Sequence, residues 1–309
     1  MTTSPSPSAP DRFADRRRVL LLGLAATVMA PYAAGAHGET PGPTIPALQA
    51  AIDGPQRSAA NRTRDGARHP VETLAFFGLK PDWKVIEIAP GGGWYTEILA
   101  PFLSPRGRLY AAHAPADGTS EQRRSRAAFQ QKLASDPATY GRVVLGTLPV
   151  GRFTDIHPPG GADAVLTFRN IHNWVAEGHF DETLRAFFDV LKPGGVLGVE
   201  EHRAAPGTAL ERMIESGYVT QDFVIARARA SGFEFVAASE INANPRDTRD
   251  HANGVWALPP TLRGGEVERA RYLAIGESDR MTLRFVKPLV ARGAGESGNL
   301  RRFAFNGPS

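Results

Sequence analysis

The sequence predicts an α/β fold, an open and mostly parallel sheet with helices on both faces, and three observations predict it. Lys84-Val-Ile-Glu-Ile-Ala-Pro-Gly-Gly-Gly-Trp-Tyr-Thr96 reads as a buried strand, a glycine-rich turn and a helix start. Ala162 to Asn170 reads as a second buried strand, and Asp181 to Leu191 follows it with Leu184, Phe187, Phe188 and Leu191 on one helical face. Lys192-Pro-Gly-Gly195 stops that helix before another apolar strand, Val196 to Glu200. Strands alternating with amphipathic helices build parallel sheets.

In the first strand Val85, Ile86 and Ile88 supply the β-branched run of a central parallel strand. Gly91, Gly92 and Gly93 let the backbone pass close to a ligand without a Cβ in the way, and the next helix aims free N–H groups at the same place. A dinucleotide site requires G-x-G-x-x-G and an acid about 20 residues on, at the end of the second strand. Here the third small residue falls at Thr96, and the second strand, Arg108 to Ala112, ends in His113 and Ala114 with no acid before Asp117. The acid lies inside the first strand instead, as Glu87.

An acid followed by alternating small residues resembles the E-x-G-x-G-x-G motif of class I S-adenosylmethionine-dependent methyltransferases, with Ala89 in place of the first glycine. Leu-Lys-Pro-Gly-Gly195 before the strand Val196 to Glu200, and Met281 to Lys287 as a closing seventh strand, are similar to the same family. More narrowly, the chain resembles a family of exported bacterial proteins regarded as methyltransferases. Asn61-Arg-Thr-Arg-Asp65, His69 to Gly78, Phe168 to Trp174, Glu201-His-Arg203, Asn242 to Asp250 and Gly276 to Met281 carry the match, which covers nearly all of the chain after about residue 45. The resemblance implies a Rossmann-like, mostly parallel seven-stranded sheet with an N-terminal lid segment and an insertion, residues 242–280, before the last strand. It also implies S-adenosylmethionine as cofactor. Glu87, Ala89, Pro90, Gly91, Gly92, Gly93, Trp94 and Tyr95 would then form its site, together with His113 and Arg169.

Residues 1–36 read as an export signal that is cleaved. A polar leader runs to Arg16, Arg17 and Arg18, an apolar run extends from Val19 to Ala30, and Ala34-Gly-Ala36 offers small residues for cleavage. The paired arginines suggest the Tat route and a periplasmic destination. The apolar run is shorter than the roughly 20 residues of a spanning helix, so no stable membrane insertion is expected after cleavage. The absence of cysteine suits an oxidising compartment and removes disulfides, thiolate metal sites and cysteine nucleophiles. The leader's four arginines against two aspartates account for half of the formal net charge of +4, too little to imply nucleic acid. Residues 37–60 read as a flexible lead-in, 61–291 as one methyltransferase-like domain and 292–309 as a loosely held tail. Nothing in the sequence gives the oligomeric state.

Specificity is expected in the segment Asn61 to Gly78, with Arg62, Arg64, Asp65, Arg68 and His69 ahead of a short amphipathic helix, and in the insertion around Trp256. The best candidate for a reacting centre is Arg169-Asn-Ile-His-Asn-Trp174, at the carboxyl edge where open α/β sheets bind ligands. Asn170 offers an amide to fix a ligand group, and His172 is suited to take a proton from an oxygen or nitrogen nucleophile. The alternative is a helix start that these side chains merely cap. His202 ends the adjacent strand and reaches toward the same cleft.

No metal is expected, since eight histidines show no H-x-x-x-H pair; His172, His202, Asp247 and Asp250 could still converge in space. Glu277-Ser-Asp-Arg280 reads either as an internal ion-pair network or as a wall of the cleft. The functional expectation is methyl transfer to a small molecule. A repurposed methyltransferase fold that binds a small molecule, or catalyses without this cofactor, is the alternative. An NAD-dependent oxidoreductase ranks third.

Overall fold

The computed structural model describes residues 44–289 apart from residue 105. The export signal and the C-terminal tail predicted above lie outside the described residues. Seven strands form one sheet: β1 (Lys84–Ile88), β2 (Arg108–His113), β3 (Val144–Thr147), β4 (Ala162–Phe168), β5 (Leu191–His202), β6 (Glu234–Ser239) and β7 (Arg280–Val286). Their order is β3-β2-β1-β4-β5-β7-β6, and every pair from β3 across to β5 is parallel. Only β7 runs antiparallel, to both β5 and β6.

The period of two along each strand divides the interior into two layers. Ile86, Ile88, Val165, Leu197 and Val199 face one side. There they meet Phe180, Leu184 and Phe187 of α9 (Phe180–Val190) and Val224 and Ala228 of α11 (Gln221–Ala230). Val85, Leu109, Ala164, Leu166 and Val196 face the other, against Ile98, Leu99, Phe102 and Leu103 of α5 (Thr96–Leu103).

Ahead of β1 come α1 (Thr44–Asp53), α2 (Ala59–Arg62), α3 (Asp65–Arg68) and α4 (Pro70–Phe76). Residues 44–60 are not the flexible lead-in that their sequence suggested. Leu48, Ala51 and Ile52 of α1 are buried in the same layer as α5, so the segment is held by apolar packing. Helices α6 (Ser120–Ser135) and α7 (Pro137–Tyr140) join β2 to β3, and α8 (Ile171–Ala176) begins just after β4. Helix α9 ends at Val190, within a residue of its expected end, and Leu191 turns extended and opens β5 ahead of the strand start expected at Val196.

Between β5 and β6 lie α10 (Leu210–Ser216) and α11. The connection from β6 to β7 holds the predicted insertion, including a 3-10 turn at Gly254–Ala257 and α12 (Arg269–Ile275). Ala257, Leu258, Tyr272 and Ile275 give that insertion a small apolar core of its own. No helix among the described residues is long and apolar enough to cross a membrane.

Candidate active site at the carboxyl edge of the sheet

The glycine turn sits between β1 and α5. Gly91 and Gly93 adopt left-handed backbone, with φ of 57° and 82°, which glycine does without steric cost. A Cβ at Gly91 or Gly92 would meet no heavy atom within 4 Å, so both border open space. Gly93 differs: a Cβ there would come within 3.0 Å of Lys132 and 3.2 Å of Phe129 on α6. Ala89, in the motif's first glycine position, is itself left-handed at φ 46°, a strained state for a residue with a side chain.

Glu87 is buried and accepts a 2.6 Å hydrogen bond from the Thr96 hydroxyl at the head of α5. Burial pushes its carboxyl up to about 7, against the pull of Thr96 and Lys132. His113 stands at the end of β2, where a dinucleotide site carries its ribose acid, but it serves the turn itself. Its Nδ1 accepts from the Ala114 amide at 2.7 Å, which leaves the proton on Nε2 to donate to the Gly91 carbonyl at 3.3 Å. Burial lowers its pKa, as does Arg126, while the Gly91 bond raises it.

Trp94 and Tyr95 turn their side chains inward. Two guanidinium groups approach the Trp94 ring, Arg57 at 4.9 Å and Arg68 at 4.7 Å from its centroid, and its Nε1 donates to the Asn61 carbonyl. Tyr95 stacks on Phe168 with centroids 3.5 Å apart and donates its hydroxyl to Glu200 at 2.9 Å. Both rings hold protein to protein: the first clamps the N-terminal segment, the second ties α5 to β5.

A cavity of about 220 Å³ opens beyond β4, lined by Arg64, Arg68, Arg169, His172, His202 and Trp256, with Pro259, Pro260, Glu277 and Ser278 closing it. None of the three glycines lines it. Arg169, placed with the cofactor by its resemblance, faces this cavity instead. Its backbone is left-handed, φ 60°, and its Nη1 donates to Glu200 at 2.7 Å. Arg280 donates to the same oxygen at 2.8 Å and to Glu277 at 3.2 Å. Burial would raise the Glu200 pKa, but Arg169, Arg280, Arg68 and the Tyr95 hydroxyl outweigh it and hold the carboxyl down to about 2.

His172 lies 3.0 Å through Nδ1 from Glu201, whose other oxygen accepts the Ile171 amide at 2.5 Å. Glu201 is wholly buried, and a carboxylate in that role fixes the His172 proton on Nδ1. The His172 Nε2 has no hydrogen-bond partner among the described residues. The His202 ring is 5.2 Å from that of His172, with its Nδ1 2.6 Å from the Ser278 hydroxyl. Burial drives the His202 pKa well down, as do His172, Arg169, Arg280 and Arg68, so the ring is neutral at physiological pH.

The ligand atoms of His172, Glu201 and His202 lie within 4.8 Å of one another, a spacing that a divalent ion can bridge. Glu201 already accepts the Ile171 and His202 amides, and three guanidinium groups face the same space, which favours an oriented imidazole pair over a cation site. Asp247 and Asp250 do not join it. Asp247 is buried against Tyr218, His251 and the Asp279 amide, and Asp250 contacts Thr248.

Asn170 donates to the Ile88 carbonyl at 3.3 Å and to Thr167 at 3.2 Å, bracing the ends of β1 and β4 rather than entering the cavity. The Glu277 to Arg280 stretch divides between its two readings. Glu277 and Ser278 line the cavity, while Asp279 binds Arg203, just after β5, and Arg249 of the insertion. Glu200 and Glu201 escaped the sequence reading as site residues. The available signal was two adjacent acids ending a buried apolar strand, which demand cations and donors.

Two solved structures share this architecture, and a third is similar at a lower score. The [4+2]-cyclase SpnF matches 80% of this chain and 94% of its own, at 17% identity and a TM-score of 0.50. A Galdieria sulphuraria protein described as a sarcosine dimethylglycine methyltransferase matches 74% of this chain and 85% of its own, at 14% identity and a TM-score of 0.50. For an Aquifex aeolicus SAM-dependent methyltransferase the shares are 64% and 93%, at 16% identity and a TM-score of 0.47. The protein has the class I methyltransferase fold, with the strand order described above. No protein-family model and no curated protein sequence matches the chain.

S-adenosylmethionine is the cofactor this fold implies. The glycine turn fits it, since Gly91 and Gly92 leave free space that a Cβ would enter. The ribose end departs from the pattern, with His113 turned back onto the turn.

Proposed function

We propose that the protein is an S-adenosylmethionine-dependent methyltransferase acting on a small molecule in the cavity beyond β4. The carrying observation is that an open glycine turn and a Glu201-oriented imidazole stand at the carboxyl ends of neighbouring strands of one sheet. Gly91 and Gly92 would hold the cofactor, with Glu87 organising the turn through Thr96. When bound, that cofactor supplies an electrophilic methyl group. His172 presents Nε2 to the acceptor and takes the proton that its O–H or N–H loses, while Glu201 keeps the ring in the required tautomer. His202 and Trp256 narrow the space beside it, so the chain's contribution is alignment and proton removal. Residues 1–36 carry the protein to the periplasm in this reading, by a Tat-like route.

A second reading, favoured by His113 in place of a ribose acid, is a SAM-independent enzyme or a binding protein on the same fold. SpnF, a cyclase by its description, is similar in fold. Calorimetric titration of the protein beginning at His37 with S-adenosylmethionine and S-adenosylhomocysteine separates the two. Micromolar binding supports methyl transfer. No binding by folded protein supports the second reading.

A further inference from the structure

The cavity beyond β4 holds more positive charge than its own carboxylates neutralise. Arg64, Arg68 and Arg169 face it and Arg280 lies buried behind it, and the carboxylates these four bond are Glu200 and Glu277, while Glu201 is taken up by His172. Four guanidinium groups thus share two carboxylates, at side-chain exposures of 25%, 4%, 17% and 2% in that order. Like charges gathered at such burial are costly unless a further anion joins them. Burial, then Arg169 beside it, lowers the Arg68 pKa to about 9, the direction expected where positive charge is left over.

The donors are free as well as charged. Arg64 and Arg68 each spend only Nε on a hydrogen bond, both to Glu277, at 2.7 and 3.4 Å, and Arg169 spends only Nη1, on Glu200. The two remaining nitrogens of each have no hydrogen-bond partner among the described residues, and none of them is sealed from solvent by protein. The Arg68 guanidinium carbon lies over the Trp94 ring, 4.7 Å from its centroid, a contact that helps to hold the side chain in place. Planar guanidinium forks, each tethered by one ion pair, match an oxyanion.

We propose that the molecule bound beyond β4 is a small organic oxyanion, a carboxylic acid or a phosphate ester, gripped by Arg64, Arg68 and Arg169 with its remainder against His172, His202 and Trp256. The volume of about 220 Å³ lies below the roughly 300 Å³ at which drug-sized sites begin, which restricts it to a small acid. The cavity is lined by residues that follow β4, end β5 and precede β7, and by none of the three glycines, so the arginines lie beside the cofactor turn and not in it. That the anion is the methyl acceptor rests on the methyltransferase reading; that an anion binds does not.

The test is calorimetry on the protein beginning at His37, with inorganic phosphate and propanoate as probes and propanamide as the neutral isostere of the latter. At least one anion binds and propanamide binds at least tenfold more weakly or not at all. Arg64→Met, at the least buried of the three arginines, weakens the anion at least tenfold, and Arg64→Lys, which keeps the charge, weakens it less. Phosphate favoured over propanoate assigns a phosphate ester, and the reverse a carboxylic acid. Saturating S-adenosylhomocysteine leaves the anion bound. If S-adenosylhomocysteine itself fails to bind while the anion binds, the methyltransferase reading falls and the anion site stands. Equal binding of propanoate and propanamide with no phosphate bound, or displacement of the anion by S-adenosylhomocysteine, overturns the proposal; neither measurement needs a variant to fold.

Discussion

Glu201 binds the His172 ring through one carboxylate oxygen and the amide of Ile171, the first residue of α8, through the other. One buried side chain therefore fixes both the tautomer of the ring and the helix that carries it. Glu201→Gln is expected to lower kcat by roughly 10²-fold, within the range of general-base catalysis, with KM little changed and the pH profile displaced. An altered melting temperature with an unmoved pH profile would assign Glu201 a structural role alone. His172→Asn should lose turnover while retaining ligand binding.

The buried Glu87 sets a pH dependence of stability. Its folded pKa of about 7 exceeds the usual carboxylate value of 4.5, so the folded state binds more protons and stability falls as pH rises from about 4.5 to 7. Glu87→Gln removes that loss. The variant should exceed the parent by up to about 3 kcal/mol at pH 8 and match it near pH 4, as read by urea unfolding of the ligand-free protein.

His202 acts in the opposite sense. Its pKa is lowered on folding, so the stability associated with its neutral form is present above the unfolded value near 6.5 and is lost as pH falls below it. His202→Asn should flatten the acid limb of the stability curve, checked by denaturation between pH 7 and 4.

The three glycines should separate under substitution. Gly92→Ala meets open space and should leave the melting temperature unchanged while weakening S-adenosylhomocysteine. Gly93→Ala combines left-handed backbone with contact against Lys132 and Phe129, and should destabilise the fold by more than about 1 kcal/mol. Ala89→Gly relieves a strained residue and should stabilise by up to about 1 kcal/mol. Loss of S-adenosylhomocysteine affinity only in the destabilised variant would mean that the turn does not touch the cofactor.

Trp94→Ala removes a buried ring that both Arg57 and Arg68 contact, and should cost about 3 to 5 kcal/mol, as for other buried tryptophans. Amide hydrogen exchange should rise first in α2 and α3, the segment that the ring clamps.

The parallel sheet was legible because its strands are continuous apolar runs bounded by glycine and proline, a signal local to each segment. Lys84–Ile88 and Arg108–His113 lie within a residue of where their side chains put them. Helix α1 was not legible, because its neighbours in sequence are prolines and glycines while its stability comes from packing against α5. The site divides in the same way. His172 and His202 are readable as reactive types at strand ends. The inward turn of Trp94 and Tyr95 depends on Arg57, Arg68, Phe168 and Glu200, partners distant in sequence that local pattern does not announce.

The clasp between Arg64 and Glu277 joins residues 213 positions apart. The turn between β1 and α5 closes from neighbours in sequence, whereas the cavity waits for the last forty residues of the described chain. Contacts of such long sequence separation form late and slow folding. A chain interrupted during synthesis at α11 would already contain every residue of the glycine turn, yet lack Trp256, Glu277 and Arg280. Binding competence beyond β4 thus marks the completed chain, and appears only when the two ends of the domain have met.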